Sequence, residues 1–433
     1  MRPSAILIPF ALAESIAGHA IPSTTKRHFR QGKDQIQNPG DGQAMAPSGC
    51  QATGKAVYLL TNDDENSVVA LPIKADGTLK RGTVTKAGGK GATAVDGATG
   101  EAAVPDALLS QGSLTIAGQH IFAVNAGSNT ISMLAISADD PTQLSMVGEP
   151  AQVPGEFPNT VAASAKNNLA CVAATGAVAG ISCASFTAEG GLGPMDGLRS
   201  IDLGQSTPPA GPTNTVSHVL FSEDESVLFT MVKGDPAVNK TGFLSMLAIE
   251  QQQGAGCDGA MTAAAAAAED NRISPAGTAV LFGSQVIPGT GNIFATDASF
   301  GGAILSVDAA TGNASVVGQA AIDGQAATCW SAFSATTGSV FVTDVGVPHI
   351  VEMSADDASI ISELDLAGNG DPGFIDLGAS GAFLYALSPG NGTTDAAISV
   401  MDISGGQGTA KLIQRFSLEG IAGPTAQGIA ILS

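Results

Sequence analysis

The stretch HIFAVNAGSNTISMLAIS, from His120 to Ser137, sets two apolar runs on either side of a small polar turn. Asn, Gly and Ser tolerate the backbone angles of a tight turn, whereas Val, Ile, Phe and Leu suit extended chain, so the phrase predicts a β-hairpin. Looser copies start near Val57, Leu169, Leu228, Ile293, Val340 and Leu384, which with Ile121 makes seven. Their spacing of roughly 44 to 65 residues is that of four-stranded blades with loops of varied length. From Ile121 to Val124 the apolar residues do not alternate with polar ones, so both faces of the sheet need cover. A ring of sheets, each shielded by its neighbours, supplies that cover.

Ahead of each hairpin lies another short run, such as SQGSLTI before the second and TNTVSHVLFS before the fourth, which predicts the innermost strand of each blade. The first hairpin lacks such a run. The C-terminal AQGIAILS matches SQGSLTIA at Gln427-Gly428 against Gln111-Gly112, so the chain end is expected to supply the missing strand. The expectation is an all-β, single seven-bladed β-propeller over residues 50 to 433, closed by the C-terminal strand pairing into the first blade and leaving no open edge. A two-domain sandwich gives no reason for the terminal echo.

The N-terminus, MRPSAILIPFALAESIAGHA, carries one basic residue, an apolar stretch and small residues before a cleavage point after Ala20, the pattern of a secretory signal. Residues 21 to 49 then form a leader in which Lys26-Arg27 reads either as a dibasic processing site or as a solvated basic pair. No segment reaches the roughly 18 apolar residues that a membrane helix needs. Eighteen Lys and Arg against 39 Asp and Glu leave a net charge of -21, and no basic stripe is present. Nucleic acid and anionic membranes are therefore poor partners.

Five cysteines in an exported chain leave at least one unpaired. Cys171 and Cys183 lie symmetrically about Ala177, the turn of the third hairpin, where opposed strand positions come within disulfide range. That bridge is expected; Cys50, Cys257 and Cys329 remain unassigned. Sequons at Asn239, Asn313 and Asn391 fall in polar turns open to a glycan.

Few chemical motifs stand out. GAGCDG (Gly254 to Gly259) and GNGDPG (Gly368 to Gly373) fit G-x-G-x-x-G but lack the strand-to-helix setting that would place a phosphate on a helix N-terminus, so they read as loops. NDDEN at Asn62 to Asn66 gathers acidic oxygens without calcium-loop spacing and reads as a turn. The run MTAAAAAAEDN from Met261 reads as a short helix or a loop insertion, since Ala is the best helix former. Neither a cofactor nor a metal is expected. Past the leader, His120 borders a strand, His349 follows Pro348 in a turn, and His218 alone lies in an inner strand. There its ring either packs in the blade or faces the channel as an acid or base.

With its seven hairpins and the phrases SQGSLTIAGQHIFAVNAGSNTISMLAIS and ATCWSAF, the chain resembles the seven-bladed lactonase-type propellers, which include 6-phosphogluconolactonases and 3-carboxymuconate cyclases. It also resembles the secreted fungal cell-wall glycoproteins of that type. In the enzymes of the family, the resemblance implies, His, Arg and Glu handle an anionic substrate through a phrase G-P-R-H-x-x-F and a following N-E. Here the phrase reads GPTNTVSHVLF: His218 matches the histidine, Ser217 stands at the arginine, and the later pair becomes Val232-Lys233. The usual histidine of the third blade is replaced by Asn159 in EFPNTV. Loss of the arginine removes a bidentate donor for carboxylate or phosphate, and lysine reverses the charge of the glutamate.

The resulting expectation is a secreted, glycosylated, monomeric propeller acting as an extracellular or cell-wall binding protein, with a small lactone, a carbohydrate or a host protein as partner. Gln111, Asn159, His218, Trp330 and Gln427 are the inner-strand candidates for lining the channel, and Trp330 either stacks on a sugar face or packs internally. The rival reading is a lactone hydrolase or cycloisomerase, with His218 as general acid or base and Lys233 pairing with an anion.

Overall fold

The computed structural model describes residues 54–253 and 261–433. The segments expected to be an export signal and a leader, together with Cys50, Cys257 and the motif at Gly254 to Gly259, lie outside the described residues.

Blade 2 shows how the sequence builds a sheet. Leu114–Ala117, His120–Asn125 and Thr130–Ile136 pair antiparallel in chain order, with Leu144–Met146 at the outer edge. Ile121, Phe122, Ala123 and Val124 are all fully buried, although their side chains alternate between the two faces. Neighbouring blades account for this, because each packs one face against the sheet before it and the other against the sheet after it.

Seven such sheets follow one another, and every one of the seven hairpin phrases forms the two middle strands of its blade. The innermost strands are Gln427–Leu432 in blade 1, Leu114–Ala117 in blade 2, Pro158–Ser164 in blade 3 and Val216–Phe221 in blade 4. Leu281–Val286, Thr328–Ser334 and Ile375–Ser380 serve blades 5, 6 and 7. These strands touch their neighbours all the way round, blade 7 against blade 1 included. The protein is a closed seven-bladed β-propeller.

Closure is made by the chain end, with Leu432, Ile431 and Ala430 opposite Ala56, Val57 and Tyr58. The Gln-Gly echo is structural as well. Gly112 and Gly428 both adopt left-handed backbone, with φ of 76° and 80°, and both partner glutamines are buried. A Cβ on Gly428 would stand 2.3 Å from Leu114 Cδ2, so only glycine fits there.

Buried aspartates fasten blades 5 and 6. Asp344, at the end of the strand Ser339–Asp344, accepts N–H bonds from Ala326, Ala327, Gly346 and Val347. Asp297 does the same for Ala279 and Val280. Cys171 and Cys183 are paired in register, 4.0 Å apart at Cα, and are disulfide-bonded, as their spacing predicted. Cys329 is a buried free thiol.

Two readings are corrected. Residues 261–266 form neither a helix nor a loop: Met261–Ala266 is an extended outer strand of blade 4, with Ala266 opposite Ile249 and Ala265 opposite Glu250. The backbone edge of the long strand Phe243–Gln253 needs partners, and that requirement outweighs the helix propensity of alanine. His349 is not in a turn but opens the strand His349–Ser354, where it is buried and its Nδ1 lies 2.6 Å from Glu363 Oε1. The Gly368 to Gly373 motif is a loop around a short 3-10 turn, and its Asp371 binds Arg415 through both carboxylate oxygens. Among the described residues no helix is long and apolar enough to cross a membrane.

Candidate functional site

After the outer strand of blade 1 the chain leaves its sheet, forms a short parallel pair between Val95–Asp96 and Ala210–Gly211, and turns into the middle of the ring. Ala107, Leu108, Leu109 and Ser110 are at most 2% exposed. Leu109 has a φ of 58°, a left-handed angle that a leucine adopts only when its surroundings impose it.

What imposes it is a set of side chains from five blades. Lys233 Nζ donates to the Leu109 carbonyl at 2.8 Å and stands 4.3 Å over the Phe282 ring. Trp330 Nε1 donates to Ser110 O at 3.1 Å, and Asn159 Nδ2 donates to Leu108 O at 3.2 Å. Gln427 Nε2 donates to Pro105 O at 3.1 Å, and Ser110 Oγ returns a bond to Asn159 O. The Gln111 N–H donates to the carbonyl of Ser217. Asn159, Trp330, Gln427 and Lys233 are thus brought together, around the chain's own residues 105–110.

Asn159, Trp330, Gln427 and Lys233 therefore face this segment and not the open cavity. All four are buried, none borders the open cavity, and each satisfies a backbone carbonyl that would otherwise be unpaired in the interior. Trp330 packs edge-on against Phe282 rather than presenting a face to a sugar.

Electrostatics follow the same design. Asp106 enters with the segment, its Oδ1 enclosed and without a hydrogen-bond partner among the described residues. Burial raises its carboxyl to about 6, against the opposing pull of Lys233. Burial lowers Lys233 to about 8, partly offset by Asp106. The lysine therefore faces an internal carboxylate rather than a free anion. Burial likewise drives the Cys329 thiol well above its usual range, which keeps it protonated and inert.

On the other side of Gln111 and Gly112 the channel opens into a cavity of about 410 Å³, bordered by residues from all seven inner strands. Gln111 and His218 do border it. Gln111 Nε2 donates to Ser331 O and to Asp376 Oδ1, at 2.8 and 3.1 Å, fixing the floor. His218 Nδ1 accepts the Ser284 N–H at 3.2 Å, so the neutral ring carries its proton on Nε2. Burial lowers His218 to about 3, and the ring stays neutral at ordinary pH. A Cβ at position 112 would stand 3.1 Å from Nε2, so the glycine keeps that edge clear.

The sequence reading missed Asp376. It lies in the inner strand of blade 7 with a φ of 52° and borders the cavity. Its carboxylate accepts from Gln111 Nε2, from Leu377 N–H and from Ile429 N–H of the closing strand. Burial outweighs these donors and raises it to about 7. The sequence signal was a lone acid inside the apolar run FIDLG. Asp376 is the one charged residue on the described lining, which holds neither Lys nor Arg.

No family model and no curated protein matches the chain. Solved structures do. A periplasmic gluconolactonase from Pseudomonas aeruginosa superposes with a TM-score of 0.58 at 14% identity, covering 87% of this chain and 99% of that one. A protein assigned as a 6-phosphogluconolactonase from Bacteroides fragilis gives a TM-score of 0.54 at 11% identity, covering 90% and 100%. Identities this low establish the scaffold alone: a lactonase-like seven-bladed propeller.

Proposed function

We propose that this protein is an exported, glycosylated propeller that binds a ligand outside the cell or at a cell wall, without the inherited reaction on anionic lactones or muconates. The observation that carries the reading is the filled end of the channel. Lys233 and Asn159, at the positions where the resemblance expects the family's glutamate and histidine, donate from Nζ and Nδ2 to the carbonyls of Leu109 and Leu108. A substrate anion there would have to displace buried chain. The Cys171–Cys183 disulfide fits an oxidising compartment. Asn239, Asn313 and Asn391 are all exposed, which leaves each open to a glycan. Enzymatic removal of N-glycans from protein isolated from its native source should lower its mass. An unchanged mass, or retention of the protein inside the cell, would refute export with glycosylation.

One observation favours a second reading as a hydrolase. Asp376, held near neutrality by burial, and the neutral His218 both border the open cavity, where they could move a proton. Hydrolysis of an uncharged lactone, lost in both His218→Ala and Asp376→Asn, would establish that reading over simple binding.

A further inference from the structure

Resting on the reading of the protein as a ligand binder, we infer that the open cavity selects an uncharged small molecule that carries a hydroxyl beside a carbonyl at one end and is apolar elsewhere. Two polar groups at the floor have no partner within the described protein. His218 Nε2–H is a donor, its ring oriented by the Ser284 N–H on Nδ1. Gln285, the next residue along that strand, uses its Nε2 on Ser331 O at 2.8 Å and leaves Oε1 as an acceptor. A ligand carbonyl meets the first and a ligand hydroxyl the second. Donor and acceptor sit on adjoining inner strands, of blades 4 and 5, so one compact polar end serves both.

The rest of the wall sets the remainder of the molecule. Ile116, Leu220, Phe333, Ile429 and Ile431 border the cavity and are each only partly buried, so they offer apolar surface that a ligand would cover. At about 410 Å³ the space is that of a small-molecule site. The sign of charge is decided by the floor. The lining has no cation to neutralise a carboxylate or phosphate, and the Asp376 carboxylate repels one.

Pantolactone is a suitable probe, since it is uncharged, has a hydroxyl next to its lactone carbonyl and carries two methyl groups. Its ring-opened form, pantoate, keeps the skeleton and adds a carboxylate, and β,β-dimethyl-γ-butyrolactone lacks only the hydroxyl. Calorimetric titration of the full chain should show saturable pantolactone binding at pH 8, and no measurable binding of pantoate. The deoxy compound should bind about tenfold more weakly, as should pantolactone to His218→Ala or Gln285→Met, each having lost one hydrogen bond. The thermal midpoint of each variant, measured alongside, separates a lost contact from a lost fold.

Pantoate binding as tightly as pantolactone, or folded variants that bind both lactones unchanged, would overturn the inference, and so would the absence of saturable pantolactone binding. None of these results touches the parent reading, which fails instead if anionic lactones are turned over.

Discussion

Lys233 Nζ lies 2.8 Å from the carbonyl oxygen of Leu109, 124 positions earlier in the chain, and both residues are buried in the middle of the ring. A charged amine in that place is tolerated only because a carbonyl, the Phe282 face and the Asp106 carboxylate share it. Lys233→Met keeps the length and removes the donor and the charge. It leaves the Leu109 carbonyl unpaired and Asp106 without its counter-charge, so a loss of about 2–4 kcal/mol in urea unfolding is expected. A loss below about 0.5 kcal/mol, the range of an ordinary surface substitution, would mean that the segment is not anchored there.

Asp376 predicts a pH dependence. Its folded-state value of about 7 lies above the usual carboxyl range, so between pH 4 and 7 the folded protein holds a proton that the unfolded chain has lost. Stability from this group is full below about pH 4 and falls as the pH rises toward 7, by something on the order of 2–4 kcal/mol. His218 runs the other way, since its lowered value makes stability rise with pH between about 3 and 6.5. Asp376→Asn should therefore remove a downward slope from the plot of unfolding free energy against pH. A variant whose curve stays parallel to that of the wild type would contradict the assignment.

Ring closure rests on the last strand, Gln427–Leu432, which pairs with Ala56–Leu60 and donates its Ile429 N–H to the Asp376 carboxylate. Removing residues 427 to 433 opens an edge on blade 1 and strips its inner face. The truncated chain is expected to aggregate or to lose cooperative unfolding. A monomer with one sharp transition in size-exclusion and thermal measurements would show that closure is dispensable.

The disulfide spans the third hairpin between paired positions. Replacing Cys171 and Cys183 together by Ala should lower stability by about 2–4 kcal/mol without altering the β-sheet circular dichroism.

Much of the architecture could be read from the residues. Hairpin phrases such as IFAVNAGSNTISMLAI carry their own turn chemistry, and their unbroken apolar runs demand cover on both faces, which fixes a ring. The Gln-Gly echo located the closing strand because Gly112 and Gly428 answer the same backbone requirement. The Ala run misled, since alanine takes whichever conformation an unpaired strand edge offers it.

The site was legible in part. Of the residues picked out from the sequence, Gln111 and His218 border the open cavity, whereas Asn159, Trp330, Lys233 and Gln427 converge elsewhere. What they converge on was hidden, because residues 105–111 pair with no strand ladder of their own and show no periodicity. Their place is set by carbonyls contacting side chains more than a hundred residues away. Asp376 escaped for a similar reason, its role depending on Gln111 and Ile429 in other blades.

The central proposal, that the chain's own residues fill the place where the resemblance puts an anion site, is tested most directly by offering 6-phosphogluconolactone to the purified protein and following acid release. The account predicts a rate no greater than spontaneous hydrolysis, unchanged in His218→Ala. Turnover above that background, abolished by His218→Ala, would contradict it.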